Sequence, residues 1–234
     1  MNAGFTIRAF PALLAGVALF LSGCAGLPPD QEPPGPAVQA EAYYRSGLDY
    51  LAEGLSERAM ENFSLALVTD PAGRTAPAAM HRMAEIYRRQ DENREAIDLL
   101  ERLKNSFPGY ENTDEALFLK VETLAADGQS ERALAEGVYW AESRQGHSRY
   151  AEMSAIIGDM SLQAGNTAAG FRWWLEAHEA APEGSPKRRS AKGKLDEILR
   201  RLEAADLSRV AYFATGTVMA PGIYHRMAEG YFSD

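Results

Sequence analysis

Cys24 is the only cysteine among 234 residues. One thiol cannot close an internal disulfide, and no second thiolate is present to share a metal. The four histidines, His81, His147, His178 and His225, are the next candidates for ligands or bases. None is paired as His-Glu-x-x-His, the spacing that turns two imidazoles toward one zinc ion on a helix face. His81 and His225 also hold the same place in a repeated pentapeptide, so the repetition accounts for both. No Gly-x-Ser-x-Gly elbow lifts a nucleophile, and no glycine loop cradles phosphate. These residues point to a protein that is not an enzyme and carries no metal and no cofactor.

Charge is the other source of chemistry. The chain has 33 acidic against 24 basic residues, a net charge of −9. It lacks the interleaved basic and aromatic residues of a nucleic-acid surface, so nucleic acid is excluded as a partner. One segment reverses the sign: Lys187, Arg188, Arg189, Lys192, Lys194, Arg200 and Arg201 crowd around Asp196 and Glu197. Such a patch can meet lipid phosphate, an anionic glycan or an acidic protein surface; it can equally be a solvated helix start. Trp140 and Trp174 fall at core positions, which leaves Trp173 as the freer indole.

Elements that position these residues follow from pattern. Met1 to Arg8 carries one positive charge and no acid, and Ala9 to Leu21 is almost wholly apolar. A charged start followed by an apolar run of this length reads as a secretory signal peptide over 1–23, too short to span a bilayer. Residues 24–39 include AGLPPDQEPPGPAVQ, too rich in proline and too poor in apolar side chains to fold, and read as a flexible tether. Loss of the leader removes Arg8 and takes the net charge from −9 to −10.

Beyond residue 40 the chain repeats itself. His-Arg-Met-Ala-Glu stands at 81–85 and again at 225–229, with Tyr87 and Tyr231 two residues further on, and the copies lie 144 residues apart. Units beginning at 40, 77, 114 and 151 fill the interval. Three of them pair small residues (Gly47 with Ala59, Ala84 with Ala96, Gly158 with Gly170) that allow two helices to cross closely. Gly54, Gly128 and Gly165 supply the turn between helices, and Pro71, Pro108 and Pro182 stop the second helix. Four such units cover 40–182, and no single one can bury its apolar face alone. Residues 183–234 hold a degenerate fifth unit, with Gly193 at its expected crossing and one helix over 192–204. A first helix of a sixth unit then opens at Ala220. Its Ile223, Tyr224, Met227 and Tyr231 form an apolar stripe: either it packs back as a cap, or the chain is the front of a longer protein.

These units resemble the tetratricopeptide repeat. The resemblance implies an all-α, right-handed helix-turn-helix solenoid whose first helices line a groove for a protein or peptide. On that register the groove residues are Glu41, Tyr44, Leu48, His81, Glu85, Arg88, Phe118, Glu122 and Asp159, with Lys187, Arg188, Arg189, Lys192 and Lys194 as an accessory basic patch. Leu21-Ser22-Gly23-Cys24 resembles the lipobox of bacterial lipoproteins, which implies acylation of Cys24 and a membrane partner. Ala25, in place of aspartate, implies the periplasmic face of the outer membrane of a Gram-negative bacterium. Two lipoprotein families share this plan. Phe107-Pro108 followed by Asp114 to Phe118 resembles the repeat lipoprotein of the β-barrel assembly machinery. The degenerate fifth unit with a fresh repeat at Tyr224 resembles the front of penicillin-binding protein activators, where a ligand-binding domain follows. The resemblance thus implies a scaffold in cell-wall synthesis or outer-membrane assembly, or the repeat module of a larger lipoprotein.

Overall fold

The structure, a computed structural model, describes residues 34–202, 204–217 and 219–231. Cys24, the leader and most of the tether lie outside the described residues. Everything described from Pro36 onward belongs to one compact unit.

Among the described residues there are eleven helices and no strand. They come as hairpins: α1 (Pro36–Ala52) with α2 (Ser56–Thr69), α3 (Thr75–Arg89) with α4 (Asn93–Ser106), α5 (Thr113–Ala126) with α6 (Ser130–Ser143), α7 (Tyr150–Gln163) with α8 (Thr167–Ala180). Then follow α9 (Pro186–Arg201), α10 (Ala204–Ala214) and α11 (Ala220–Tyr231). Each second helix also packs on the next first helix, and α1, α3, α5 and α7 touch in succession. The first helices therefore form the tighter, inner side of the solenoid.

A register of 37 residues explains the hairpins. Gly54, Asp91, Gly128 and Gly165 are spaced by 37, and all four adopt the left-handed region, at φ 79°, 60°, 78° and 77°. This conformation reverses the chain in two or three residues; glycine adopts it freely, and aspartate is among the few others that tolerate it. Sequence patterning identified the three glycines and passed over Asp91. The crossings obey the same register. A Cβ at Gly47 would stand 2.5 Å from the Phe63 ring, and one at Gly158 only 2.7 Å from Trp174. Ala59, Ala96 and Ala133, their counterparts on the second helices, are fully buried.

The fifth unit departs from this pattern for two local reasons. The turn position 37 residues after Gly165 is Leu202, which is extended at φ −67° and ψ 133°. The crossing position 37 after Gly158 is Leu195, fully buried, and the second-helix position holds a further buried leucine, Leu207. Two leucines cannot interpenetrate as two small residues do. Accordingly α10 packs closely on α8 and α11 instead of on α9. Gly193, expected at this crossing, is exposed with no atom near its Cβ direction. The expected helix over 192–204 instead spans Pro186–Arg201, because Ser185 caps it, accepting from the Arg188 amide at 3.1 Å, and Pro186 sits in its first turn.

Candidate functional site: the inner face of the first helices

Three register rows run across the inner face. The first is Glu41, Ala78, Glu115 and Glu152; the second Tyr44, His81, Phe118 and Ala155; the third Leu48, Glu85, Glu122 and Asp159. Successive first helices thus place equivalent residues side by side along the inner face.

Two adjoining clefts open on this face. One, of about 630 Å³, is lined by Glu41 and Tyr44 of α1, by the loop Ala72–Gly73–Arg74, by Pro77, Ala78 and Arg82 of α3, and by Phe107, Tyr110, Glu111 and Asn112. The other, of about 210 Å³, is lined by His81, Arg82, Glu85, Asn112, Glu115, Leu119 and Arg149. Arg82 and Asn112 belong to both, so the clefts form one path.

The walls are held by a polar lattice. Arg82 donates two hydrogen bonds to Glu85, at 3.1 and 2.9 Å. His81, only 7% exposed, lies 3.3 Å from the Tyr110 hydroxyl through Nδ1 and 4.0 Å from Glu85 through Nε2. Burial lowers its pKa, more than the neighbouring Glu85 carboxylate restores it, which favours the neutral imidazole. Arg149 reaches Glu115 at 3.0 Å, Glu152 at 2.9 Å and Glu122 at 3.9 Å, with its guanidinium 3.4 Å above the Phe118 ring. Burial pushes the Glu122 carboxyl up, since Arg149 and Arg88 only partly compensate. Burial acts the same way on Glu152, but Lys187 and Arg149 outweigh it and hold that carboxyl below the usual range.

A tetratricopeptide-repeat family profile matches residues 78–110, which cover α3, α4 and the loop after them. No curated protein matches the chain in sequence. Similar solved structures include a tetratricopeptide repeat protein from Parabacteroides merdae, at 18% identity and a TM-score of 0.60, covering 83% of this chain and 73% of that one. PilF from Pseudomonas aeruginosa is similar at 16% identity and a TM-score of 0.54, covering 86% and 96%. MamA from Desulfovibrio magneticus RS-1 is similar at 13% identity and a TM-score of 0.55, covering 84% and 97%. The fold is a tetratricopeptide-repeat solenoid.

Within this tetratricopeptide-repeat frame, the residues expected in the groove separate into several groups. Tyr44 and Glu41 line the larger cleft, and His81 and Glu85 the smaller. Leu48 is half-buried against the core of the first two hairpins. Phe118 is a correction: it is fully buried beneath Arg149 and edge-on to Trp140 at 5.9 Å, so it supports the floor and meets no partner. Asp159 accepts from the Trp174 indole at 3.3 Å and pairs with Lys194 at 3.5 Å, which ties the fourth unit to the fifth. Arg88 pairs with Asp91 at 3.8 Å and also lies near enough to Glu122 to stabilise its carboxylate.

The basic segment stays exposed at Lys187, Arg189 and Lys192, with intramolecular partners for its cations. Lys187 pairs with Glu152, Lys192 with Asp196 at 3.7 Å, and Lys194 also with Glu197 at 3.7 Å. Arg188 and Arg189 donate to the carbonyls of Ala181 and Gly184. The expected freer indole, Trp173, is 6% exposed, no more than its neighbour Trp174 at 9%. Sequence reasoning passed over Arg82, Tyr110, Glu115, Arg149 and Glu152. The two acids were findable as multiples of 37 from Glu41, whereas Tyr110 and Arg149 lie in the loops between units, outside the helical pattern that defines the repeat. Among the described residues no cluster of three ligating side chains forms a metal site, and no helix is long and apolar enough to cross a membrane.

Proposed function

We propose that this protein is an envelope adaptor, tethered by acylated Cys24 to the periplasmic face of the outer membrane, that holds a protein partner along the inner face of its first helices. The observation that carries the groove reading is the continuous path formed by the two clefts across α1, α3 and α5. A linear occupant there meets side chains from successive repeats, which is how a solenoid gains contact area without a deep pocket. The tetratricopeptide-repeat fold serves protein association in general, while the envelope role rests on the sequence: an apolar leader ending at Leu21-Ser22-Gly23-Cys24 and a proline-rich stretch behind it. Cell-wall synthesis and outer-membrane assembly are the two settings its family resemblances suggest.

The test is photo-crosslinking in intact cells from Tyr44 and Glu85, with Val68 and Tyr139, exposed residues of α2 and α6, as controls. The reading expects one partner captured from the groove positions and not from the controls, and release of the protein from membranes by Cys24→Ala. Equal capture from all four positions sinks the groove reading; retention of the Cys24→Ala variant sinks the anchor.

A further inference from the structure

At the larger cleft one residue breaks an acidic row. Counting by 37, the first helices place Glu41, Glu115 and Glu152 in the same register position, but α3 places Ala78 there. Where the carboxylate is missing, the cleft is lined by Pro77 and Ala78, with Ala72 at its exposed edge. Two tyrosines face it from either side, Tyr44 on α1 and Tyr110 on the loop before α5. Neither ring is free to swing shut. Tyr44 is packed on Phe63 with ring centres 5.6 Å apart, and Tyr110 is fixed edge-on to His81 at 5.9 Å with its hydroxyl 3.3 Å from the imidazole.

The rim charges are placed to orient a chain. Arg74 and Glu111 occupy the same register position in successive loops, 37 residues apart, and both line the cleft. They offer a cation on one side and an anion on the other, a polarity to which an extended peptide can align its own charged residues. Arg82, at the junction of the two clefts, is engaged bidentately by Glu85, so it is a fixed wall and not a spare cation. A cleft lined by two tyrosine rings and by small residues favours aromatic side chains, since aromatic pairs gain from offset or edge contact beyond the area they bury.

We propose that this cleft is the specificity pocket of the groove, and that it receives an aromatic side chain from an extended partner peptide between Tyr44 and Tyr110. The proposal rests on the groove reading and deepens it by naming the anchor. A peptide is favoured over a glycan because the slot continues, past Arg82 and Asn112, into the second cleft along the line of the repeats.

The test is selection of a displayed library of random twelve-residue peptides on the full chain, followed by affinity measurement on individual binders. The informative variant is Ala78→Glu, which restores the residue of the other repeats and fills the slot. A carboxylate in the first turn of α3 suits the helix end, so folding is preserved and checked by circular dichroism. Tyr44→Leu is the second variant, removing one wall while keeping an apolar contact with Phe63. The expected result is an aromatic residue shared at one position of the selected peptides, with affinity falling at least tenfold in both variants. Peptides that bind without such a residue, or that bind Ala78→Glu as tightly as the parent, overturn the pocket and leave the groove standing. Failure to select any peptide overturns both, and so does binding of a soluble probe glycan such as chitotetraose in place of peptides.

Discussion

Gly158→Ala and Gly193→Ala are the same substitution in the interior of two first helices, α7 and α9, and the structure assigns them opposite signs. In both, replacing glycine removes backbone freedom from the unfolded chain and favours the helix by about 0.5–1 kcal/mol. At Gly193 nothing lies within 4 Å of the new methyl group, so that gain is the whole effect. At Gly158 the methyl carbon would stand 2.7 Å from Cδ1 and 2.9 Å from Nε1 of Trp174. The indole cannot retreat freely, because its N–H donates to Asp159 at 3.3 Å and its other side lies in the core shared with Phe171, Leu175 and Leu195. Overpacking of this kind costs roughly 1–3 kcal/mol. Subtracting the helix gain leaves a net loss of about 1–2 kcal/mol, so the two variants should differ by about 2 kcal/mol. For a chain of this size that separation is about 4–8 °C in melting temperature. Urea titration followed by far-ultraviolet circular dichroism gives the free energies, and tryptophan fluorescence reports on the crossing itself. Both variants shifting in the same direction, or Gly158→Ala melting above the parent, refutes the argument that the fifth unit lacks the close crossing the fourth has.

Other perturbations probe the lattice around that frame. Lys120, 4% exposed, bridges α5 to α6 through Glu136 at 2.8 Å and to α4 through Glu101 at 3.5 Å. Lys120→Ala removes the cation paired with Glu136, while Glu101 keeps Arg132, and should cost about 1–2 kcal/mol in urea denaturation, with most of the loss retained in Lys120→Gln. Glu152, whose carboxyl is held below the usual range, contributes stability above the ordinary carboxylate pKa and loses it as pH falls through its lowered folded value. Glu152→Gln should therefore destabilise by about 0.5–1 kcal/mol at pH 7, and that loss should shrink steadily as the pH is lowered below the ordinary carboxylate range. Glu122 has the opposite sign: burial raises its folded pKa, so its ionisation opposes folding at neutral pH. Glu122→Gln should raise the midpoint at pH 7, and the gain should vanish once the pH falls below the ordinary glutamate pKa of about 4.3.

The all-helical class, the hairpin repeat and the positions of the close crossings were legible in the sequence by itself. The reason is that each rests on a local requirement with a fixed period. Turns need a residue that tolerates positive φ at Gly54, Gly128 and Gly165, and crossings need a small residue at Gly47, Ala84 and Gly158. The acidic row of the inner face was also there to be counted, since Glu41, Glu115 and Glu152 share one register. What the sequence did not decide was which residues survive as free surface. Phe118 sits in the groove row with Tyr44 and His81, yet Arg149 arrives from the loop before α7 and covers it. The basic run near 187–201 is dense along the chain, yet Glu152, Asp159, Asp196 and Glu197 answer its lysines. Gly193 is the right residue type two positions out of register, and Leu195 and Leu207 decide the packing there. The cleft itself depends on Ala78 being flanked by Tyr44 and Tyr110, which lie 66 residues apart in the chain. Periodicity fixes the face a residue starts on, but loop residues outside the period decide whether another side chain closes over it.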